Sequence, residues 1–166
     1  MAHVSSFSPV AGKRANRLIL GSMPGRASLE AHQYYAHKRN AFWPVMSALL
    51  GFSCNLPYED RCSELIRHGI ALWDVLHSCE RPGSLDSAIV AQSMVANDFA
   101  GFYHHHRHIR KVFFNGATAE KAYGKFVQPW LSPAFATLPM VRLPSTSPAH
   151  AAMSYQEKLT QWRIVV

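Results

Sequence analysis

The chain is short of cysteines, carboxylates and long apolar runs, and each shortage removes a class of protein. Its three cysteines are Cys54, Cys62 and Cys79. The odd count argues against a disulfide framework, and the spacings fit no zinc or iron–sulfur site. A reducing cytoplasm is the expected compartment. No apolar stretch approaches the roughly 20 residues of a membrane-spanning helix. The N-terminus lacks the apolar core of a signal peptide. No internal repeat is found, and neither a G-x-G-x-x-G fingerprint nor a Walker loop is present, which counts against a dinucleotide or nucleoside-triphosphate enzyme.

What is present is a chain of 166 residues, 48% hydrophobic, enough for one domain over residues 1–166 with a sizeable core. Residues 1–15, rich in small and polar side chains, are expected to be flexible. Lys and Arg number 17 against 10 Asp and Glu, a formal charge of +7. Such a surplus suits a polyanionic partner, because neutralised phosphates release counterions.

Four short apolar runs read as buried parallel strands: Leu18–Gly21, Ile70–Trp73, Val112–Phe114 and Met140–Leu143. Helical patterns lie between them, at Asn40–Leu50, Tyr58–His68, Ala117–Val127 and a long, interruptible stretch at Ser84–Phe102. Ser154–Arg163 closes the chain, with Ser154 and Glu157 spaced as a capping box. Alternating strands and helices predict a three-layer α/β/α sandwich around a short, mainly parallel four-stranded sheet. Ligands of such sheets bind beyond the carboxyl ends of the strands. That rule selects the loops Ser22–Gly25, Asp74–Ser84, Asn115–Thr118 and Pro144–His150.

The glycines of Gly21-Ser22-Met23-Pro24-Gly25 permit close backbone approach to a ligand, or simply a tight strand exit. Gln33 to Trp43 interleaves Tyr34, Tyr35 and Phe42 with His37, Lys38 and Arg39, a pattern able to stack on a base and hold phosphate. Asn40 is either a helix N-cap or an amide presented to a ligand. Asp74, His77 and Ser78 follow a strand and are able to read a base edge. Ser145, Thr146 and Ser147, set between Pro144 and Pro148, form either a rigid connector or a phosphate-facing turn. His104-His105-His106-Arg107-His108 reads as a solvated basic face, since consecutive histidines on a helix point in different directions.

Together these segments resemble the uracil-DNA glycosylase superfamily, from about residue 17 to residue 150. The resemblance is closest to the hypoxanthine-DNA (deoxyinosine) glycosylases, through residues 21–25, 33–37, 39–43 and 143–148. It implies the sandwich fold and a monofunctional N-glycosyl hydrolase acting on a flipped, deaminated base. The partner implied is double-stranded, or single-stranded, DNA carrying that base. A monomer without metal or other cofactor, working at a bacterial or archaeal nucleoid in the cytoplasm, is implied as well. Relatives carry Asn or Asp where this chain has Met23, and the family resembled places its catalytic Asn at Asn40. Lys38 stands where many relatives have proline. The implied base-binding set is Ser22, Met23, Pro24, Gly25, Tyr34, Tyr35, Phe42, Asp74, His77, Ser78 and Asn115. The implied DNA-backbone set is Lys38, Arg39, Ser145, Thr146, Ser147 and His150. Three rivals remain at this stage. One is the same fold acting on uracil or a mismatch, another a non-catalytic DNA-binding module, and the third a nucleotide-binding α/β enzyme. Base release separates the first from the second, and free-nucleotide binding without DNA affinity marks the third.

Overall fold

The four apolar runs pair side by side. In chain order the elements are β1 (His3–Ser5), β2 (Arg17–Gly21), α1 (Arg26–Ala31), α2 (Phe42–Leu50), α3 (Tyr58–Arg67), β3 (Ile70–Asp74), β4 (Leu76–Glu80), β5 (Val95–Ala96), α4 (Phe99–His105), β6 (Lys111–Asn115), α5 (Ala117–Phe126), α6 (Pro133–Ala136), β7 (Met140–Leu143) and α7 (Tyr155–Trp162). These come from a computed structural model that describes residues 2–166. The main sheet runs β3-β2-β6-β7 and is parallel throughout. Leu18, Ile19 and Leu20 in its centre are wholly buried, as are Leu72 and Phe113 beside them. Strands covered on both faces need unbroken apolar runs, which is what these positions supply.

Alternation along the strands assigns the two faces. Trp73, Leu20 and Phe114 lie in one row. Trp73 packs on Phe99 of α4, and Phe114 packs on Tyr123 of α5. Gly21 and Asp74 pair on the opposite face. There the half-buried Tyr35 stacks on Phe42 of α2, which meets Trp162 of α7 edge-on. Helices thus cover both faces, as expected from the alternating pattern. The capping box also forms: Ser154 Oγ accepts from Glu157 N at 3.2 Å, and Glu157 Oε2 accepts from Ser154 N at 3.0 Å.

Several expectations need correction. Residues 2–15 are anchored rather than loose: β1 pairs antiparallel with β4, and Val10 bridges to Leu72. Phe7 O accepts from Trp73 Nε1, and Ser8 O accepts from Tyr34 Oη. The backbone bonds hold this segment whatever its small side chains. Asp74–Ser84 is not one loop, because β4 inside it is sandwiched between β1 and β5. Ser84–Phe102 breaks into two 3-10 turns, β5 and α4, with Asp98 accepting from Gly101 N to start α4. Helix α2 begins at Phe42, two residues beyond Asn40. Helix α1, short and without a capping side chain, had no sequence signal.

Deleting residues 2–8 removes the acceptors for Tyr34 Oη and Trp73 Nε1 and strips one edge of β4. The loss should be about 2 kcal/mol or more, read as a lower urea midpoint. An unchanged midpoint would mean the segment carries no stability.

Candidate active site

Beyond the carboxyl ends of β2, β3, β6 and β7 lies a cavity of about 790 Å³. Residues 21–28 form one wall and 84–87 another, while 145–150 and the 34–40 segment close the remainder. Asp74 and Asn115 reach it from the ends of β3 and β6. A volume of this order accepts a base with its sugar. The exposed Arg26 and Arg39 line the cavity together with His37 and His150, and Glu30 and Asp86 are carboxylates in the same lining.

The most demanding geometry is at Gly21. A Cβ there would fall 2.5 Å from Asp74 Oδ1 and 2.9 Å from the Tyr35 hydroxyl. Only a residue without a side chain lets both polar groups come this close to the strand. Asp74 is 3% exposed, and neither its Oδ2 nor the Tyr35 hydroxyl has a hydrogen-bond partner among the described residues. Burial first, and then the Asp86 carboxylate, push the Asp74 carboxyl up to about 7; the Arg81 guanidinium pulls the other way. Burial also raises the Tyr35 phenol, so it stays a neutral hydroxyl. Tyr35 adopts φ +56, a left-handed conformation costly for a residue of its size. Strain of this kind collects at functional sites.

The wall over this floor is braced. Arg81, 1% exposed, donates through Nη2 to Pro24 O at 2.6 Å and through Nε to Gly83 O at 2.9 Å. Ser22 Oγ donates to Asp86 Oδ1 at 2.7 Å, and Ser84 Oγ accepts from Arg26 N at 2.9 Å. The loop after β2 and the turn after β4 are therefore one unit. Opposite it, Asn115 Nδ2 donates to Thr146 Oγ1, and Asn115 Oδ1 accepts from Thr146 N, both at 2.9 Å. Gly116, at φ +95, allows Ser145 to approach: a Cβ would lie 3.2 Å from Ser145 Cβ. Lys158 of α7 donates to Ser147 O from below.

Asn40 is not the N-cap, which is Ala41; it stands one residue earlier, where its Oδ1 accepts from Phe42 N at 2.9 Å in a turn leading into α2, and it lines the cavity. A carbonyl oxygen has two lone pairs, so this bond leaves one free. The bond also restrains the amide.

Of the expected site residues, the cavity brings together Ser22, Met23, Pro24, Gly25, Tyr34, Tyr35, Arg39, Asn40, Asp74, Asn115, Ser145, Thr146, Ser147 and His150. Four others do not line it. Phe42 is wholly buried behind Tyr35 and supports the stack rather than meeting a ligand. Ser78 is buried within β4 opposite Ser5, and His77 is exposed on the alternate face of the same strand. Lys38 is exposed outside the lining. Thr146 lines the cavity but is wholly buried, with its hydroxyl engaged by Asn115, which removes it as a phosphate grip. Sequence reasoning missed Arg81 and Asp86, which act through bonds and charge from a distant segment. The His104–His108 cluster spans the last turn of α4 and the turn before β6, at the end of the sheet away from the cavity. Among the described residues no group of three His, Cys, Asp or Glu is placed to hold a metal ion. No helix there is long and apolar enough to cross a membrane.

Because the folded-state value of Asp74 lies above the ordinary 3.8, folding disfavours its ionised form. The stability linked to Asp74 is full below about pH 4 and is lost as pH rises toward 7. Asp74→Asn escapes that loss. Its stability relative to the parent should climb between pH 4 and 7, then level off, by a few kcal/mol at about 1.4 per unit. Urea melts at pH 4, 6 and 8 check this; a constant difference across them would contradict it.

Comparison with known proteins bears on the family and the fold. A profile of the uracil DNA glycosylase superfamily matches residues 9–165. A hypoxanthine DNA glycosylase of Methanosarcina barkeri is 35% identical over 111 residues, covering 66% of this chain and 69% of its own. One from Methanosarcina acetivorans is 34% identical over 114 residues, covering 68% and 71%. A solution NMR structure from Methanosarcina acetivorans, described as a candidate uracil DNA glycosylase, superposes with a TM-score of 0.81 at 30% identity, covering 98% of this chain and 96% of its own. With its parallel sheet, its cavity at the carboxyl edge and a profile match over nearly its whole length, the chain belongs to the uracil DNA glycosylase superfamily.

Proposed function

We propose that the chain hydrolyses the N-glycosidic bond of hypoxanthine in DNA, leaving an abasic site. The observation that carries this is the cavity, with Asn40 held by the Phe42 N–H on one wall and unpaired polar groups at its floor. Two relatives named as hypoxanthine DNA glycosylases support the choice of base. A base inside a duplex is out of reach, so the nucleotide is flipped into the cavity at a cost of a few kcal/mol, least for a poorly paired lesion. The bond to C1′ breaks with its electron pair leaving on the base, and the sugar becomes cation-like. Water then adds to C1′ and gives up a proton. Asn40 orients that water through its free lone pair; an amide is too weak a base to do more.

Tyr35, backed by Phe42, offers the stacking surface, and Tyr34 adds an edge nearby. The loop Ser22–Gly25 borders the departing base. Its Met23 and Gly25 N–H groups donate to no acceptor among the described residues, which leaves them free for developing negative charge. Asp74 and Asn115 face the base edge. Ser145 and Ser147, with Arg39 and His150, take the phosphates on either side, and the exposed Lys38 adds charge nearby. No lysine lines the cavity among the described residues, in keeping with a monofunctional enzyme that forms no Schiff base. The free cysteines support a reducing cytoplasm. We take the acting form to be a monomer on duplex DNA.

The test uses duplexes carrying one hypoxanthine, uracil, xanthine or G·T mismatch, followed by alkaline cleavage. Hypoxanthine release is expected, reduced about 100-fold or more in Asn40→Ala. A urea melt of Asn40→Ala beside its release rate separates loss of chemistry from loss of the turn into α2. Full release by a folded Asn40→Ala would remove the assignment, and release from uracil alone would change the substrate.

A further inference from the structure

The floor of the cavity has no use for a charge. Asp74 Oδ2 and the Tyr35 hydroxyl are both buried, adjacent to Gly21 and without partners among the described residues. An ionised carboxylate in that position accepts hydrogen bonds only, and it would stand beside a base that is becoming negative as the bond breaks. A neutral carboxylic acid has one O–H to donate and one carbonyl to accept. That pair matches the adjacent C=O and N–H of a lactam such as the hypoxanthine edge, and its donated hydrogen bond strengthens as negative charge grows on the base.

We propose that Asp74 works as its neutral carboxylic acid, donating a hydrogen bond to the flipped base beside the Tyr35 hydroxyl, and that ionisation of Asp74 switches the site off. The inference rests on the glycosylase reading and assigns the form in which this residue acts. The proton stays on Asp74 while the base leaves with the bonding pair, so no other donor is consumed.

The surroundings agree. Asp86 faces Asp74 from the turn after β4 and disfavours its charge, Arg81 offsets part of that, and Tyr34 and Tyr35 face it from the segment before α2 as neutral phenols. Asn97, whose Nδ2 donates to Asp74 O, and Asn115 carry no charge. Arg81 donates to the carbonyls of Pro24 and Gly83 and makes no hydrogen bond to Asp74, while its buried Nη1 has no partner among the described residues. With burial leading, the acid form is held up to about pH 7.

The rim residues His37 and His150 line the same cavity, so a pH profile alone would not assign the group. The experiment compares single-turnover release of hypoxanthine by the parent and Asp74→Asn from pH 5.5 to 9. The parent rate should fall about tenfold per unit above pH 7. Asp74→Asn, neutral at every pH, should be slower at pH 6 but flat above 7, so the gap closes. Equal slopes in the two proteins would overturn the proposal, as would complete inactivity of a folded Asp74→Asn. Independently of activity, the Asp74 carboxyl carbon in the parent should titrate near 7 by carbon NMR, and its signal should move when free hypoxanthine is added at pH 6. Titration near 4, or no movement, would also overturn it. Should no duplex be cleaved, the glycosylase reading fails, and the NMR titration still decides whether Asp74 is a neutral, base-contacting acid.

Discussion

Gly21 sits opposite Asp74 in the parallel pairing of β2 with β3, and the missing Cβ leaves room for a carboxyl and a phenol at the end of the strand. A methyl group there would collide with both. The site follows from this contact. The pairing sets Asp74 at the sheet edge, and the space lets Tyr35 fold over it in a left-handed conformation. Tyr35 in turn rests on Phe42, and Phe42 on Trp162 of the last helix. The apolar stack is therefore continuous from the cavity floor to α7. Its rigidity is what a stacking surface for an extruded base requires.

The bonds that hold the fold also orient the site. Asn40 accepts the first N–H of α2, from Phe42, with the same oxygen that carries the free lone pair. Thr146 secures the Asn115 amide and accepts, through its carbonyl, the Ala41 N–H just after Asn40. Arg81 ties the loop after β2 to the turn after β4. A buried Arg held only by carbonyls is expensive, the more so with its Nη1 unpartnered among the described residues. Here its charge also limits how far Asp86 and burial can raise the Asp74 carboxyl.

The main sheet was legible because buried parallel strands need apolar runs, and Leu18–Leu20 or Val112–Phe114 can be little else. The cavity's place followed from topology alone. The resemblance of residues 33–43 drew attention to Asn40 and Tyr35, and both line the cavity. What escaped depended on long-range pairing. Nothing local in His3–Ser5 or Leu76–Glu80 marks a strand; each exists because the other is there. His77 and Ser78 were misread for that reason, since strand alternation directs one outward and buries the other. Phe42 was taken for a stacking surface, whereas burial makes it the support of one. Arg81 and Asp86 gave no sign of acting on a carboxyl several residues away.

The central claim is that a flipped deaminated base occupies this cavity. The most direct measurement is a crystal structure of the chain with a duplex carrying 2′-fluoro-deoxyinosine, whose glycosidic bond resists hydrolysis. The account predicts the hypoxanthine ring against Tyr35, its edge within hydrogen-bond distance of Asp74, and the neighbouring phosphates at Ser145 and Ser147. A lesion still stacked in the helix, or a duplex bound at the His104–His108 end of the sheet, would contradict it.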